Sequence, residues 1–288
     1  MKPPSEWGTH VANYTAADIK ALRERTGAGM MDVKKALDEA NGDAEKAIEI
    51  IRIKGLKGAT KREGRSTAEG LVAAKVEGNA GVMIEINCET DFVAKNDKFI
   101  ELANKVLDAA VASGAADVDA LLAYELDGKT VGDVVVEEGA VLGEKVVVRR
   151  VARVEGTKVA AYLHKTSKDL PAQVGVLLAV DSDSEAAATA AHDVAVHTAA
   201  MAPTYLSRDE VPAERVQDER RIADETARAE GKPEKALEKI VEGRLTGFFK
   251  EIVLVDQAFA KDAKKSVGQI FEEAGTKPVA FARFRVGA

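Results

Sequence analysis

Cysteine, histidine and clustered carboxylates are the side chains from which this sequence could build a reactive or metal-binding centre, and each kind is sparse. Cys88 is the one cysteine. It lies in phase with Val82, Ile84 and Ile86, which points it into a core as a small hydrophobe, and no histidine is placed to activate it as a nucleophile. Alone it cannot form an internal disulfide, which fits a reducing compartment. Among the four histidines, His192 and His197 are five positions apart and fall on different sides of a helix, whereas a metal pair needs a spacing of four. They read as surface or satisfied core residues. His10 lies in the opening stretch, and His164 closes a strand near a connector, where an exposed role fits. Glu89, Asp91 and Asp97 could be offered as ligands for a hard cation, but their spacing is not that of a calcium loop, and Asn96 or Asp97 already has a use as a helix N-cap. There is no phosphate-binding loop and no strand-linked G-x-G-x-x-G. The inventory points away from an enzyme: no catalytic residue, no metal and no cofactor is expected.

What remains is a binding chemistry. Residues 89–96 read Glu89-Thr90-Asp91-Phe92-Val93-Ala94-Lys95-Asn96, between the strand-like run Val82-Met83-Ile84-Glu85-Ile86-Asn87-Cys88 and a helical run from Asp97. Here a carboxylate stands beside a large aromatic on a connector, where binding residues held by a rigid scaffold tend to sit. Two readings of Phe92 are open at this point, a partner contact or local core folded under its own helix.

The elements around this stretch follow from periodicity. The chain has 288 residues, enough for about two domains, with 46% hydrophobic, 31% charged and only 5% aromatic residues. Such a core rests on Ala, Val, Leu and Ile. The formal net charge of −7 argues against a general nucleic-acid binder, and no apolar run approaches the roughly 18–20 residues that span a bilayer. The opening Met1-Lys2-Pro3-Pro4-Ser5-Glu6-Trp7 lacks the apolar core of a signal peptide. Residues 1–11 are expected to be a disordered extension and the protein cytoplasmic.

Residues 12–55 predict three short helices. Thr15 with Asp18 caps the first, Gly27-Ala28-Gly29 ends it, the second runs from Met30 to Ala40 and stops at Asn41-Gly42, and the third starts at Asp43. Met30 and Met31 cannot both face one core, so one is expected inside and the other exposed, where a thioether suits a partner surface. Residues 56–68, basic and Gly-rich, are read as a linker that leaves the helices mobile.

Beyond the linker the chain repeats itself. Leu71-Val72-Ala73-Ala74-Lys75-Val76 is echoed by Lys158-Val159-Ala160-Ala161-Tyr162-Leu163, and Val82-Met83-Ile84-Glu85-Ile86 by Val176-Leu177-Leu178-Ala179-Val180. The alternation predicts half-buried hairpins, each entering a helix (97–112 and 184–202). Lys129-Thr130-Val131-Gly132-Asp133 and Lys265-Ser266-Val267-Gly268-Gln269 then lead through a short helix and a glycine (Gly139, Gly275) to closing strands at 146–154 and 279–286. The predicted class is α+β, with core repeats at 69–155 and 156–288. Val176 lies 94 positions after Val82 and Lys265 lies 136 after Lys129, so the second copy carries 42 extra residues. These predict an antiparallel helical hairpin over 203–247, dividing the second copy into 156–202 and 248–288, with Pro212 and Pro233 starting its helices. Its thin apolar seam needs cover from the body or from another chain. Thr90-Asp91-Phe92-Val93 has no counterpart in copy two, which passes through Asp181-Ser182-Asp183-Ser184 straight into its helix.

These stretches resemble the bacterial elongation factor Ts family. The likeness is carried by Leu22-Arg23-Glu24-Arg25-Thr26-Gly27-Ala28-Gly29-Met30-Met31-Asp32, by Ile86-Asn87-Cys88-Glu89-Thr90-Asp91-Phe92-Val93-Ala94, by Ile240-Val241-Glu242-Gly243-Arg244 and by Lys265-Ser266-Val267-Gly268. It covers nearly all of 12–288. Family members begin near Ala12, and the connector from His164 to Gln173 is longer here than usual. The resemblance implies a guanine-nucleotide exchange factor that binds elongation factor Tu, both GDP-bound and nucleotide-free, and promotes release of GDP and Mg²⁺. It implies a ubiquitin-associated-like (UBA-like) three-helix domain docking through Arg23, Met30 and Met31. It further implies partner contacts by Thr90, Asp91, Phe92 and Val93, a second contact near His164, and a coiled-coil hairpin through which a homodimer would form. Neither nucleic acid nor membrane is an expected partner. The competing class is a ribosome- or RNA-associated structural protein, using the basic linker.

Overall fold

The computed structural model describes residues 13–288, with the backbone alone over 56–61; the extension expected over 1–11 lies outside the described residues. The first helices are α1 (Ala16–Thr26), α2 (Met30–Glu39) and α3 (Ala44–Arg62). Thr15 caps α1 in a reciprocal box with Asp18, and Gly27 ends it at φ 72°, a left-handed turn that glycine adopts without strain. Leu22, Val33, Ala36, Leu37, Ala47 and Ile51 form their shared core.

A first α+β unit follows. β1 (Glu69–Glu77) and β2 (Ala80–Cys88) form a hairpin; then come α4 (Asp91–Ala94), α5 (Asp97–Ser113), α6 (Val118–Ala123), a small ladder of β3 (Glu125–Leu126) and β4 (Lys129–Thr130), and α7 (Val131–Leu142). The closing strand β5 (Val147–Glu155) returns antiparallel beside β2, giving the order β1-β2-β5. The second unit repeats the plan with β6 (Lys158–His164), β7 (Val174–Val180), α8 (Glu185–Met201), α9 (Ala213–Ala229), α10 (Glu234–Ile252), the ladder β8 (Ala258–Phe259) and β9 (Asp262–Ser266), α11 (Val267–Glu273) and β10 (Pro278–Arg285). Its sheet order, β6-β7-β10, is the same.

The two sheets pack face to face through Val72, Met83, Val159, Leu177 and Phe284. Gly175 permits the approach, since a Cβ there would lie 2.5 Å from Val72 Cγ1 and 2.7 Å from Met83 Sδ. Helices cover the outer faces, with Phe99, Leu102 and Val106 of α5 over β2 and Ala187, Ala191 and Val194 of α8 over β7. β2 and β7 are therefore buried along their full length. The alternation suggested half-buried strands; the second face is covered by the other repeat, which periodicity within one hairpin cannot reveal.

Three further expectations change. The stretch read as a linker is helical through Arg62, and α3 lies on α7 instead of standing apart. A Cβ on Gly55 would come 2.4 Å from the carbonyl oxygen of Ala140, so this glycine serves a close helix crossing, and Arg52 pairs with Glu137 across the same contact. Next, Gly139 does not follow the short helix. α7 runs through it, and Gly143 (φ 81°) is the left-handed residue matching Gly275 (φ 64°). Last, the hairpin lies further along the chain than 203–247, because α9 starts only at Ala213 and α10 continues to Ile252. Ala223, Val241 and Leu245 form its seam, and Arg208 and Arg215 lie over Phe249 and Phe248 at its base.

Residues 285–287 are bonded back onto the first repeat. Glu85, fully buried, accepts from Arg150 Nε at 2.6 Å and from the backbone N–H of Gly287 at 3.1 Å. Arg150 also donates to the carbonyl of Arg285 at 2.8 Å.

Candidate partner-binding site

Among the large apolar side chains of the described residues, Phe92 is the most open, 73% exposed. Its turn is built from the residues around it. Thr90 is extended (φ −128°, ψ 156°) and caps α4, its side chain accepting from Val93 N at 3.4 Å. Val93 is half-buried against the core of the first unit and Ala94 fully buried within it, so α4 is pinned by one side while Asp91 and Phe92 face outward. Lys95 reaches back to Asp91 at 3.2 Å, and its ammonium lies 4.6 Å from the centroid of the Phe92 ring. Of the two readings of Phe92, local core is thus excluded.

The approach to α4 is held by carboxylates. Glu144, half-buried just past α7, accepts from the backbone N–H of Glu89 at 2.9 Å and of Thr90 at 3.0 Å, and from the Thr90 hydroxyl at 2.6 Å. Glu89 in turn accepts from Lys145 N at 2.7 Å and pairs with Arg65 at 3.1 Å. Glu89, Asp91 and Asp97 therefore do not converge as cation ligands: the first two have cationic or backbone partners of their own, and Asp97 is exposed in the first turn of α5 behind the cap Asn96.

The turn between α1 and α2 borders this region. The Cβ position of Gly27 lies 3.2 Å from Leu142 at the end of α7 and 3.5 Å from Lys98 in the first turn of α5. Beside that turn Arg23 is exposed. Met30 and Met31 are both exposed, at 58% and 62%, which corrects the expectation that one is core. They occupy the first turn of α2, where Val33, Ala36 and Leu37 take the whole inward face. His164 lies on the second unit, exposed, its Nδ1 3.1 Å from the Tyr162 hydroxyl.

The other candidates for chemistry are structural. Burial pushes the Cys88 thiol up to about 12. His197 is buried between the backbone N–H of Ala260, which donates to Nδ1 at 3.1 Å, and Gln257 Oε1, 2.9 Å from Nε2. Burial lowers its pKa, with the Gln257 bond opposing. Among the described residues no helix is long and apolar enough to cross a membrane. Sequence reasoning passed over Glu144, Lys95 and Arg65. The first was detectable by aligning Gly143-Glu144-Lys145 with Gly275-Thr276-Lys277.

A family model described as elongation factor TS matches residues 89–288. The elongation factor Ts of Paenarthrobacter aurescens is 80% identical over 277 residues, covering 96% of this chain and all of the relative. That of Micrococcus luteus is 79% identical over 277 residues with the same coverage. That of Kineococcus radiotolerans is 56% identical over 278 residues, again covering 96% of this chain and all of the relative.

Proposed function

The chain belongs to the elongation factor Ts family and is a nucleotide-exchange factor of translation elongation that binds elongation factor Tu; we propose that Asp91 and Phe92, presented by Thr90 and Val93, are the residues that loosen GDP and Mg²⁺ in that partner. The observation carrying this reading is an aromatic left 73% exposed on a turn fixed from three sides. Such a residue is costly in water and suits insertion into an apolar crevice.

GTPases of this kind hold nucleotide through a phosphate loop and a Mg²⁺ that bridges the phosphates, and Mg²⁺ tolerates little distortion of its octahedral shell. Phe92, driven as a wedge between partner helices with Asp91 beside it, displaces the elements that hold that shell. Metal and GDP then bind more weakly, and linkage requires bound nucleotide to weaken this factor by the same ratio. The factor therefore binds Tu·GDP and holds the nucleotide-free form more tightly, acting catalytically without making or breaking a bond.

In the same reading α1–α3 are a UBA-like domain docking through Arg23, Met30 and Met31, supported by their exposure beside the start of α5. The second repeat reaches another part of the partner near His164. The α9–α10 pair is a coiled-coil insertion whose outer face is available to a second copy of the chain, and the protein works in the cytoplasm. An RNA-associated role is not favoured by the family assignment.

The test is Phe92→Ala, followed as release of a fluorescent GDP analogue from purified elongation factor Tu. Release slows by roughly 10- to 100-fold, the free energy of burying one Phe side chain, while thermal stability is retained. An unchanged release rate refutes the wedge.

A further inference from the structure

The duplication supplies an internal control for the loop that precedes α4. Each repeat ends its middle strand on a carboxylate that accepts a lysine backbone N–H, Glu89 from Lys145 at 2.7 Å and Asp181 from Lys277 at 2.7 Å. In each, the lysine stands two positions after a left-handed glycine, Gly143 or Gly275. This closure serves the fold, because both repeats have it. The residue between glycine and lysine differs. In the second repeat it is Thr276, whose hydroxyl donates to Asp181 at 2.9 Å and adds to the same closure. In the first it is Glu144, whose carboxylate instead takes three hydrogen bonds from Glu89 and Thr90. Those are the two residues immediately before Asp91 and Phe92. The second repeat, which goes from Asp181 to α8 without an intervening helix, has no acceptor of this kind.

We propose that Glu144 is a positioning residue for nucleotide exchange: it fixes the orientation of α4, so that Phe92 is presented ready to insert. The proposal rests on the reading of Phe92 as the wedge. One helical turn does not hold its shape unaided, and an exposed aromatic pulls such a turn toward collapse on the nearest apolar surface. Three bonds to one carboxylate oppose that collapse at the cap. The partner then meets a preformed wedge and does not have to order it. Glu144 is also placed to relay geometry, since it follows directly on α7, against which α3 packs through Gly55 and Arg52. The turn bearing Met30 and Met31 and the turn bearing Phe92 are thus referred to one helix.

The experiment measures GDP-analogue release from elongation factor Tu across factor concentrations for Glu144→Ala, Thr90→Val and Phe92→Ala, and for each of the first two combined with Phe92→Ala. Glu144→Ala lowers the limiting rate by roughly tenfold, the scale of a lost charged hydrogen bond, and shifts the half-saturating concentration by less than about threefold because the other contacts persist. Thr90→Val, which removes the hydroxyl bond to Glu144 and the long cap bond from Val93 N but keeps both backbone bonds to Glu144, lowers it by a smaller factor and covers the case in which Glu144→Ala does not fold. In the Phe92→Ala background neither change slows release further; a merely structural role gives additive losses. A folded Glu144→Ala with the full limiting rate, or losses that add to that of Phe92→Ala, overturns the proposal while leaving the wedge standing. Wild-type release by Phe92→Ala overturns both.

Discussion

Glu85 offers the sharpest test of how the two repeats are held together. Its carboxylate is wholly buried, and its partners are Arg150 and the N–H of Gly287. Arg150 is less confined: its side chain is 32% exposed and its guanidinium lies 4.6 Å from the Phe284 ring centroid. Removing one member of a buried pair costs about 3–5 kcal/mol, chiefly for the charge left behind. Glu85→Gln leaves behind Arg150, which keeps water and an aromatic face, and the amide oxygen retains one bond. We therefore expect a loss of about 2–3 kcal/mol. Arg150→Met leaves Glu85 with no cationic partner and no access to solvent, so its loss should reach about 3–5 kcal/mol. In a protein of this size each kcal/mol lowers the melting temperature by about 2–4 °C. Glu85→Gln should then melt about 4–12 °C low by scanning calorimetry, and Arg150→Met lower still. The reverse order, or a Glu85→Gln transition within about 2 °C of the parent, would show that the buried pair does not join the repeats as argued.

Two further outcomes can be checked in solution. His197 is held neutral by burial, with Nδ1 accepting from Ala260, so its folded pKa lies below the ordinary value of 6.5. Its contribution to stability is fully present above pH 6.5 and is lost as pH falls through the folded value, by up to about 1.4 kcal/mol per pH unit. Urea unfolding at stepped pH should show that loss in the parent and a flatter slope in His197→Gln; identical slopes would contradict it. Cys88, buried and with its thiol at about 12, should resist an aromatic disulfide reagent at pH 8 for hours in the native protein and react at once in denaturant. Complete native labelling within minutes would mean that β2 opens far more readily than its burial implies.

Much of this architecture was legible in the sequence because its signals are local. Thr15 and Asp18 mark a helix start, Pro212 and Pro233 sit at the N-caps of the hairpin helices, and the echoed Val82 and Val176 runs became the central strands of two matching sheets. What stayed hidden depends on contacts between distant segments. Gly55 looked like linker composition because its reason is the backbone of Ala140, and β2 looked half-buried because its second cover is β7. At the site, the residue types of Thr90-Asp91-Phe92-Val93 drew attention on their own. Glu144 did not, since a lone glutamate after a helix is unremarkable until its 54-residue reach to Thr90 is seen.

The placement of the hairpin bears on how the chain folds as it is made. In the first repeat the sheet closes by pairing β5 with β2, from position 88 to 147, while in the second β10 must find β7 from position 180 to 278. Lengthening that excursion by about two-thirds adds only about 0.5 kcal/mol of loop-closure entropy, so the fold tolerates the inserted helices at little equilibrium cost. The order of events is affected more. The first sheet can close while the rest of the chain is still being synthesised, whereas the second waits for β10. Until then β7, apolar on both sides, lacks its final neighbour. Antiparallel helices with a short connection form from local contacts and fold early. They would already shorten the gap that β10 has to cross.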